Sequence, residues 1–317
     1  MRAAEAVVAA GASARAALVD RGGCPLCDAA AHRLEARFDA IPLHACAACG
    51  FRFSGRVMEP GRLAEYYAKG FGSERHRAGQ EINAHVNRLA LARLVPLARV
   101  RTALDVGSGY GFLVRRLREL GIDARGLEPS ADEASWAAQN GAPTTRAALD
   151  ARAEPGRFDL VTSFEVLEHA LEPRRFLADA ARLVAPGGWL VVMTDNFESA
   201  VVERMGTQFP KWIPHAHVSH FAPATFTRLC ASLPGFALRG SLSYTPWELT
   251  IAALLHRLGR RTPPFELDRV MATEMCGTLR WPGLRRTLDP LWFRLSARDG
   301  LRGELMYAAL QRAGAPC

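Results

Sequence analysis

The sequence predicts an α/β architecture, a mostly parallel sheet with helices on both faces, preceded by a small cysteine-bearing module. Three observations carry this expectation. From Arg101 onward, apolar runs alternate with amphipathic stretches, and strand-helix alternation with short connections buries a parallel sheet between helical layers. The first run, TALDV, ends in a turn with glycines at 107, 109 and 111 and passes directly into the amphipathic FLVRRL. Ahead of it stand two close cysteine pairs, Cys24 with Cys27 and Cys46 with Cys49.

Composition narrows the class. The 317 residues are 49% hydrophobic and 23% charged, the balance of a globular protein with a full core. The net charge of +8 raises nucleic acid as a partner, but of the 40 basic residues all except Lys69 and Lys211 are arginine, spread along the whole chain. That spread reads as coding bias rather than a binding patch, and nucleic acid is not the expected partner.

Residues 1–20 read as an Ala-rich helix or a disordered leader. Arg2, a short apolar stretch and an Ala-Ser-Ala imitate a signal peptide, but the apolar core is short and holds Glu5. No run reaches the length of a membrane span. A cytoplasmic protein without a transmembrane segment is expected.

Residues 21–56 read as a zinc ribbon. Two Cys-x-x-Cys knuckles enclose an 18-residue interval, a spacing that lets two tight turns complete a tetrahedron of thiolates. Four filled positions leave none open, so a structural Zn²⁺ on Cys24, Cys27, Cys46 and Cys49 is expected. Cys230, Cys276 and Cys317 stand apart, and an odd count of seven disfavours a disulfide framework. His32 and His44, between the knuckles, are expected bystanders.

Residues 57–100 form a polar linker running into helical periodicity, a helical cap; Tyr66 and Tyr67 are expected to pack the linker on the next domain. Residues 101–317 form the main domain. Strands are expected near 102–106, 123–127, 158–163, 189–194, 236–243 and 303–310, and helices near 111–120, 131–139, 173–184 and 223–232. A helical insert occupies about 247–302, before the last strand.

The glycine turn selects the ligand class. A dinucleotide turn spaces its glycines G-x-G-x-x-G so that backbone wraps a pyrophosphate. Here the spacing is G-x-G-x-G, and Phe112 occupies the place of the third glycine. Asp105, two residues before Gly107, suits a ligand with an ammonium group better than one with two phosphates.

The D-x-G-x-G-x-G turn resembles motif I of the class I S-adenosylmethionine-dependent methyltransferases. The next strand ends in RGLEPS, and the resemblance places Glu128 on the ribose hydroxyls, for which a carboxylate is a suitable double acceptor. The string RFDLVTSFEVLEHALEPRRFLADAARLVAPGGWLVVMT is similar to the family's fourth strand, its helix and the Pro-Gly-Gly turn before strand five. Matches cover roughly residues 100–235. The resemblance implies a Rossmann-like, seven-stranded sheet with an antiparallel last strand, and S-adenosylmethionine held by Asp105, Gly107, Ser108, Gly109, Gly111, Glu128 and Phe164. Residues 148–150 are expected to border the adenine.

Methyl transfer needs positioning and a deprotonated nucleophile. In FEVLEH, Glu165, Glu168 and His169 recur at i, i+3 and i+4, one face of a helix. This pattern resembles the divalent-metal site of ubiquinone-pathway and small-RNA O-methyltransferases, where a metal lowers the acceptor's pKa. A second divalent metal on Glu165, Glu168 and His169 is one expectation, and a bracing role without metal is the other. Further on, FPKWIPHAHVSHFAPATF resembles the segment after strand five in sugar C-methyltransferases, which places a His on His217. Imidazole titrates near neutrality, so His217, His169 and Glu165 are the candidate catalytic residues. The sugar enzymes also begin with a four-cysteine zinc module. They carry Tyr-x-Glu-His where this sequence has Pro214, His215, Ala216 and His217, which puts carbon methylation in doubt.

The function implied is methyl transfer to the O, N or C atom of a small-molecule acceptor in secondary or cell-surface metabolism, with a His base. Two alternatives stand beside it: an RNA-modifying methyltransferase that uses the ribbon and arginines for binding, and a cofactor-binding scaffold without turnover.

Overall fold

The computed structural model describes residues 18–68, 74–150, 158–259, 266 and 282–314. The expectation for residues 1–17, and Lys69, Cys276 and Cys317, lie outside the described residues.

Two small sheets open the chain. β1 (Leu18–Asp20) pairs antiparallel with β5 (Arg56–Met58). β2 (His32–Phe38), β3 (Ile41–Cys46) and β4 (Arg52–Ser54) form an antiparallel meander. Asp39, at φ 52°, closes the β2–β3 hairpin, a left-handed position that Asp tolerates. Helices α1 (Pro60–Ala68) and α2 (Glu74–Leu94) follow.

The main sheet consists of β6 (Thr102–Val106), β7 (Asp123–Glu128), β8 (Thr144–Arg146), β9 (Phe158–Phe164), β10 (Val184–Asp195), β12 (Phe236–Tyr244), β13 (Arg298–Asp299) and β14 (Leu305–Arg312). Their order is β13-β12-β14-β10-β9-β6-β7-β8. β6 pairs parallel with β7 and β9, and β9 with β10. β14 inserts antiparallel between β10 and β12. This is the α/β methyltransferase fold, with β13 a two-residue addition at one edge. β8 was not among the expected strands; its three residues lie too near the exposed edge to show an apolar run.

Helices α3 (Phe112–Arg118), α4 (Ala131–Gln139), α5 (Pro173–Arg182), α6 (Ala200–Met205) and α7 (Pro223–Ala231) connect the strands, and α8 (Trp247–Arg257) and α9 (Pro282–Ser296) lie in the segment before β14. Val161, Leu190, Val191 and Val192 are fully buried, as strands covered on both faces require. Each such side chain contributes about 1.5–3 kcal/mol by leaving water. The Pro-Gly-Gly turn expected before strand five lies inside β10, whose register slips between Val184 and Trp189. Among the described residues no helix is long and apolar enough to cross a membrane.

One strand belongs to neither half of the sequence. β11 (Ser219–His220) pairs antiparallel with β4, Ser219 opposite Phe53 and His220 opposite Arg52. The sheet beside the cysteines therefore has the order β11-β4-β3-β2, and its edge strand follows directly on His217.

Candidate active site

The ends of β6, β7, β9 and β10 define one rim of the sheet, where ligands bind in open α/β folds. After β6 the chain turns through Gly107, Gly109 and Gly111 at φ 75°, 53° and 70°. A Cβ on Gly107 would strike Val166, one on Gly109 would strike Gln80, and one on Gly111 would strike Ala142. These positions therefore combine a left-handed backbone with close approach, which only glycine serves without cost. The N–H groups of Gly107 and Ser108 both donate to the Leu127 carbonyl, at 2.8 and 3.0 Å, tying the loop to β7.

Two buried acids flank the loop. Asp105 accepts from Thr162 Oγ1 at 2.7 Å, and burial pushes its carboxyl up to about 7. Glu128 accepts from the N–H of Gly109 and of Ser130, each at 2.8 Å; burial raises it to about 7 against the lowering effect of those donors. A polar cradle that glycine keeps open, with two buried carboxyls at its edge, fits an aminoacyl nucleoside. Phe164 sits deeper: its ring packs 5.7 Å from Tyr307 among core residues. Residues 148–150 follow β8 as a loop, with Leu149 half-buried.

Helix α2 lies over this loop, a placement that its helical periodicity alone did not announce. Gln80 accepts from Tyr110 N at 2.9 Å and donates to Glu133 at 3.1 Å. Asn83 donates to Glu165 at 3.2 Å, and the buried Asn87 accepts from Tyr307 Oη at 2.8 Å. His76, Gln80, Asn83 and Asn87 recur at helical spacing, and that polar stripe is the signal that could have marked them.

The FEVLEH segment does not continue as an α-helix. Glu165 takes φ 55°, a conformation that strains a non-glycine residue, and Leu167–His169 form a single 3-10 turn. The expected shared face is thereby broken. Glu165 turns to Asn83 and lies 3.7 Å from the Lys211 ammonium, whereas Glu168 is buried and accepts from Thr194 Oγ1 at 2.9 Å. Burial, with Asp195 nearby, raises the Glu168 carboxyl well above its ordinary range.

The group that does converge is Glu168, His169 and His217, whose ligand atoms lie within 4.8 Å of one another. His217 takes the place expected of Glu165. The two imidazoles meet edge to face at 4.7 Å. His169 Nδ1 lies 3.2 Å from the Ala216 carbonyl and 3.0 Å from Tyr67 Oη, which itself donates to that carbonyl. A carbonyl only accepts, so this contact favours the His169 proton on Nδ1. Tyr67 thus reaches the site as well as packing against Tyr66. Burial and the neighbouring His169 and Lys211 hold His217 well below the usual imidazole range, so it is neutral. His215 and His220 are buried in the same segment.

Lys211 was singled out in the sequence only as one of two lysines, and Asp195 and Glu304 not at all. Lys211 Nζ lies 2.5 Å from Asp195 Oδ1 and 3.1 Å from Glu304 Oε1. The cluster assembles from the end of β10, the loop before β11 and the turn before β14, so no local pattern announces it.

The four cysteines also converge. Cys24 and Cys49 sulfurs are 3.6 Å apart, and those of Cys27 and Cys46 are 3.5 Å apart. These separations are close to the edge of a tetrahedron built on Zn–S bonds of about 2.3 Å.

A sheet of this order with a glycine cradle and buried acids at its rim defines a class I S-adenosylmethionine-dependent methyltransferase. The methyltransferase domain family matches residues 75–238, more than half of the chain, and the chain belongs to that family. Its relatives include the ubiquinone biosynthesis O-methyltransferase of Thiobacillus denitrificans, 32% identical over 168 residues that span 48% of this chain and 71% of that protein. The enzyme of the same name from Burkholderia multivorans is 36% identical over 104 residues, 30% of this chain and 45% of its own length; the chain thus spans less than half of that relative. In fold the chain is similar to a methyltransferase structure from Thermotoga maritima, described as a possible histamine N-methyltransferase, with TM-score 0.50 and 16% identity over 79% of this chain and 99% of that one.

Proposed function

We propose that the chain methylates a small-molecule acceptor, with Asp105, Gly107, Ser108, Gly109, Gly111 and Glu128 holding S-adenosylmethionine and His217 acting as base. The observation that carries this reading is the convergence of His169 and His217, both on the loops beyond β9 and β10, at the same rim as the glycine cradle. Bound S-adenosylmethionine supplies an electrophilic methyl group. The protein's part is to orient the acceptor and take its proton. A neutral imidazole can accept that proton, and a hydroxyl acceptor, of the kind the ubiquinone-pathway relatives' name implies, is the one that needs it most. Glu165, strained and half-exposed, is read as lining the acceptor side.

A second reading of the same group is a divalent cation on Glu168, His169 and His217, favoured by their mutual 4.8 Å spacing. There a metal would lower the pKa of an acceptor oxygen. Cys24, Cys27, Cys46 and Cys49 are read as holding a structural Zn²⁺, with residues 21–56 as the ribbon, 57–100 as linker and cap, and 101–317 as the methyltransferase domain.

The test is calorimetry of the purified chain with S-adenosylhomocysteine and, separately, with a nicotinamide dinucleotide, followed by labelled-methyl transfer to a panel of phenols, amines and activated carbon acids. Binding of the first and not the second, with label entering one acceptor class, is expected. Uptake of the dinucleotide alone sinks the assignment, and binding without transfer to any acceptor favours the scaffold.

A further inference from the structure

Asp195, Lys211 and Glu304, behind His217, have no part in the reading above. Asp195 is 1% exposed and closes β10. Its Oδ1 lies 2.5 Å from the Lys211 ammonium, and its Oδ2 makes no hydrogen bond but stands 3.6 Å from His217 Nδ1. His217 Nδ1 is likewise a buried nitrogen without a hydrogen-bond partner. Two unsatisfied buried atoms, one an obligate acceptor and the other able to donate, thus face each other across a gap that a small ring rotation closes.

Lys211 decides which carboxylate oxygen stays free. It also lies 3.1 Å from Glu304, a fully buried acid, and 3.7 Å from Glu165. Three carboxylates arranged around one point suit a compact ammonium with three radial donors better than a planar guanidinium. In a chain whose basic residues are otherwise nearly all arginine, a lysine occupies this position.

We propose that Asp195 is a positioning residue for His217: with Oδ1 taken by Lys211, Oδ2 keeps the proton of the imidazole on Nδ1 and leaves the Nε2 lone pair for chemistry. This rests on His217 as the base. The arrangement separates two jobs within one carboxylate. One oxygen is anchored to the ammonium, and the other orients the ring. Replacing Asp195 by Asn would turn the amide oxygen toward Lys211, which only donates. The amide NH2 would then face His217 and require Nδ1 to accept, so the proton would move to Nε2.

The experiment is nitrogen-detected NMR of the full chain labelled in its histidine rings, saturated with S-adenosylhomocysteine, with His217 identified by the signals missing from H217Q. The wild type is expected in the Nδ1–H form. D195N is expected to switch it to Nε2–H, with the affinity for S-adenosylhomocysteine unchanged within about twofold. E304Q, which keeps an oxygen facing Lys211 and leaves Asp195 untouched, is expected to keep the Nδ1–H form. A wild-type ring protonated on Nε2 overturns the proposal whether or not any variant folds. So does a D195N ring that stays Nδ1–H, or an E304Q ring that switches. Loss of the base assignment itself would show differently, as methyl transfer undiminished in H217Q.

Discussion

Ser219 lies opposite Phe53 in antiparallel register, so the strand that follows His217 is the edge of the cysteine module's own sheet. The link is reinforced on both sides. Ser54 donates its N–H to the Val218 carbonyl at 3.1 Å and its Oγ to the Pro214 carbonyl at 2.7 Å. Val218 in turn donates to the Glu168 carbonyl at 2.9 Å. The module is thus a wall behind the histidine segment.

Metal removal should therefore loosen the histidine segment before it touches the glycine loop. A structural zinc contributes about 10–16 kcal/mol to small modules, enough to unfold β2–β4 when it is stripped. With a strong chelator, or in Cys46→Ser, hydrogen exchange is expected to quicken over residues 32–54 and 213–221, while 102–128 stays protected. Unchanged exchange over 213–221 after complete metal loss contradicts this coupling.

The two buried acids make a pH prediction. Asp105 and Glu128 are raised to about 7 in the folded chain from ordinary values near 4, so between those limits the folded state binds more protons than the unfolded one. Their contribution is fully present below about pH 4 and is lost as pH rises through 7, at most about 4 kcal/mol for Asp105 and about 3 kcal/mol for Glu128. The ligand-free protein should melt at lower temperature at pH 8 than at pH 5.5 on this account, and Glu128→Gln should flatten the slope. Affinity for S-adenosylhomocysteine should run the other way, rising through pH 7 as Glu128 ionises to accept from the ribose. Calorimetry across that range checks both signs.

At Gly109 an added Cβ would make the shortest approach of the three cradle glycines. Gly109→Ala would hold alanine at φ 53° with its Cβ against Gln80, a backbone cost of about 1–2 kcal/mol before Gln80 moves. We expect a melting temperature lower by several degrees and at least tenfold weaker S-adenosylhomocysteine binding. Gly121→Ala, also at positive φ but with nothing near its Cβ, should lose stability alone.

His217→Gln tests the base. General-base catalysis contributes about 10²–10⁴-fold, so transfer to a hydroxyl acceptor should fall by that order while cofactor affinity holds. Tyr67→Phe, which removes the hydroxyl shared by His169 and Ala216, should give a smaller loss. Equal rates in wild type and His217→Gln would reassign the base.

The sheet was legible because its signals are local. Apolar runs for β6, β7, β9 and β10, glycines at 107, 109 and 111, and cysteines in pairs all report on neighbours a few residues apart. FEVLEH misled for the same reason: its spacing describes a helix, whereas Glu165 turns at positive φ and meets Asn83 and Lys211, which come from distant parts of the chain. Helix α2 was visible as a helix, but its place over the glycine loop was not.

The residues in order were sufficient to determine the class of fold, the cradle and its flanking acids, and the four thiols, since backbone geometry and ligand chemistry dictate those residue types wherever they occur. Only the tertiary structure decided that His217 joins Glu168 and His169, that Lys211 meets Asp195 and Glu304, and that the cysteine module braces the histidine strand. Those contacts join segments tens to hundreds of residues apart, and what selects them is burial: charged and polar groups taken from water must find one another, and the packed sheet leaves them one place to do so.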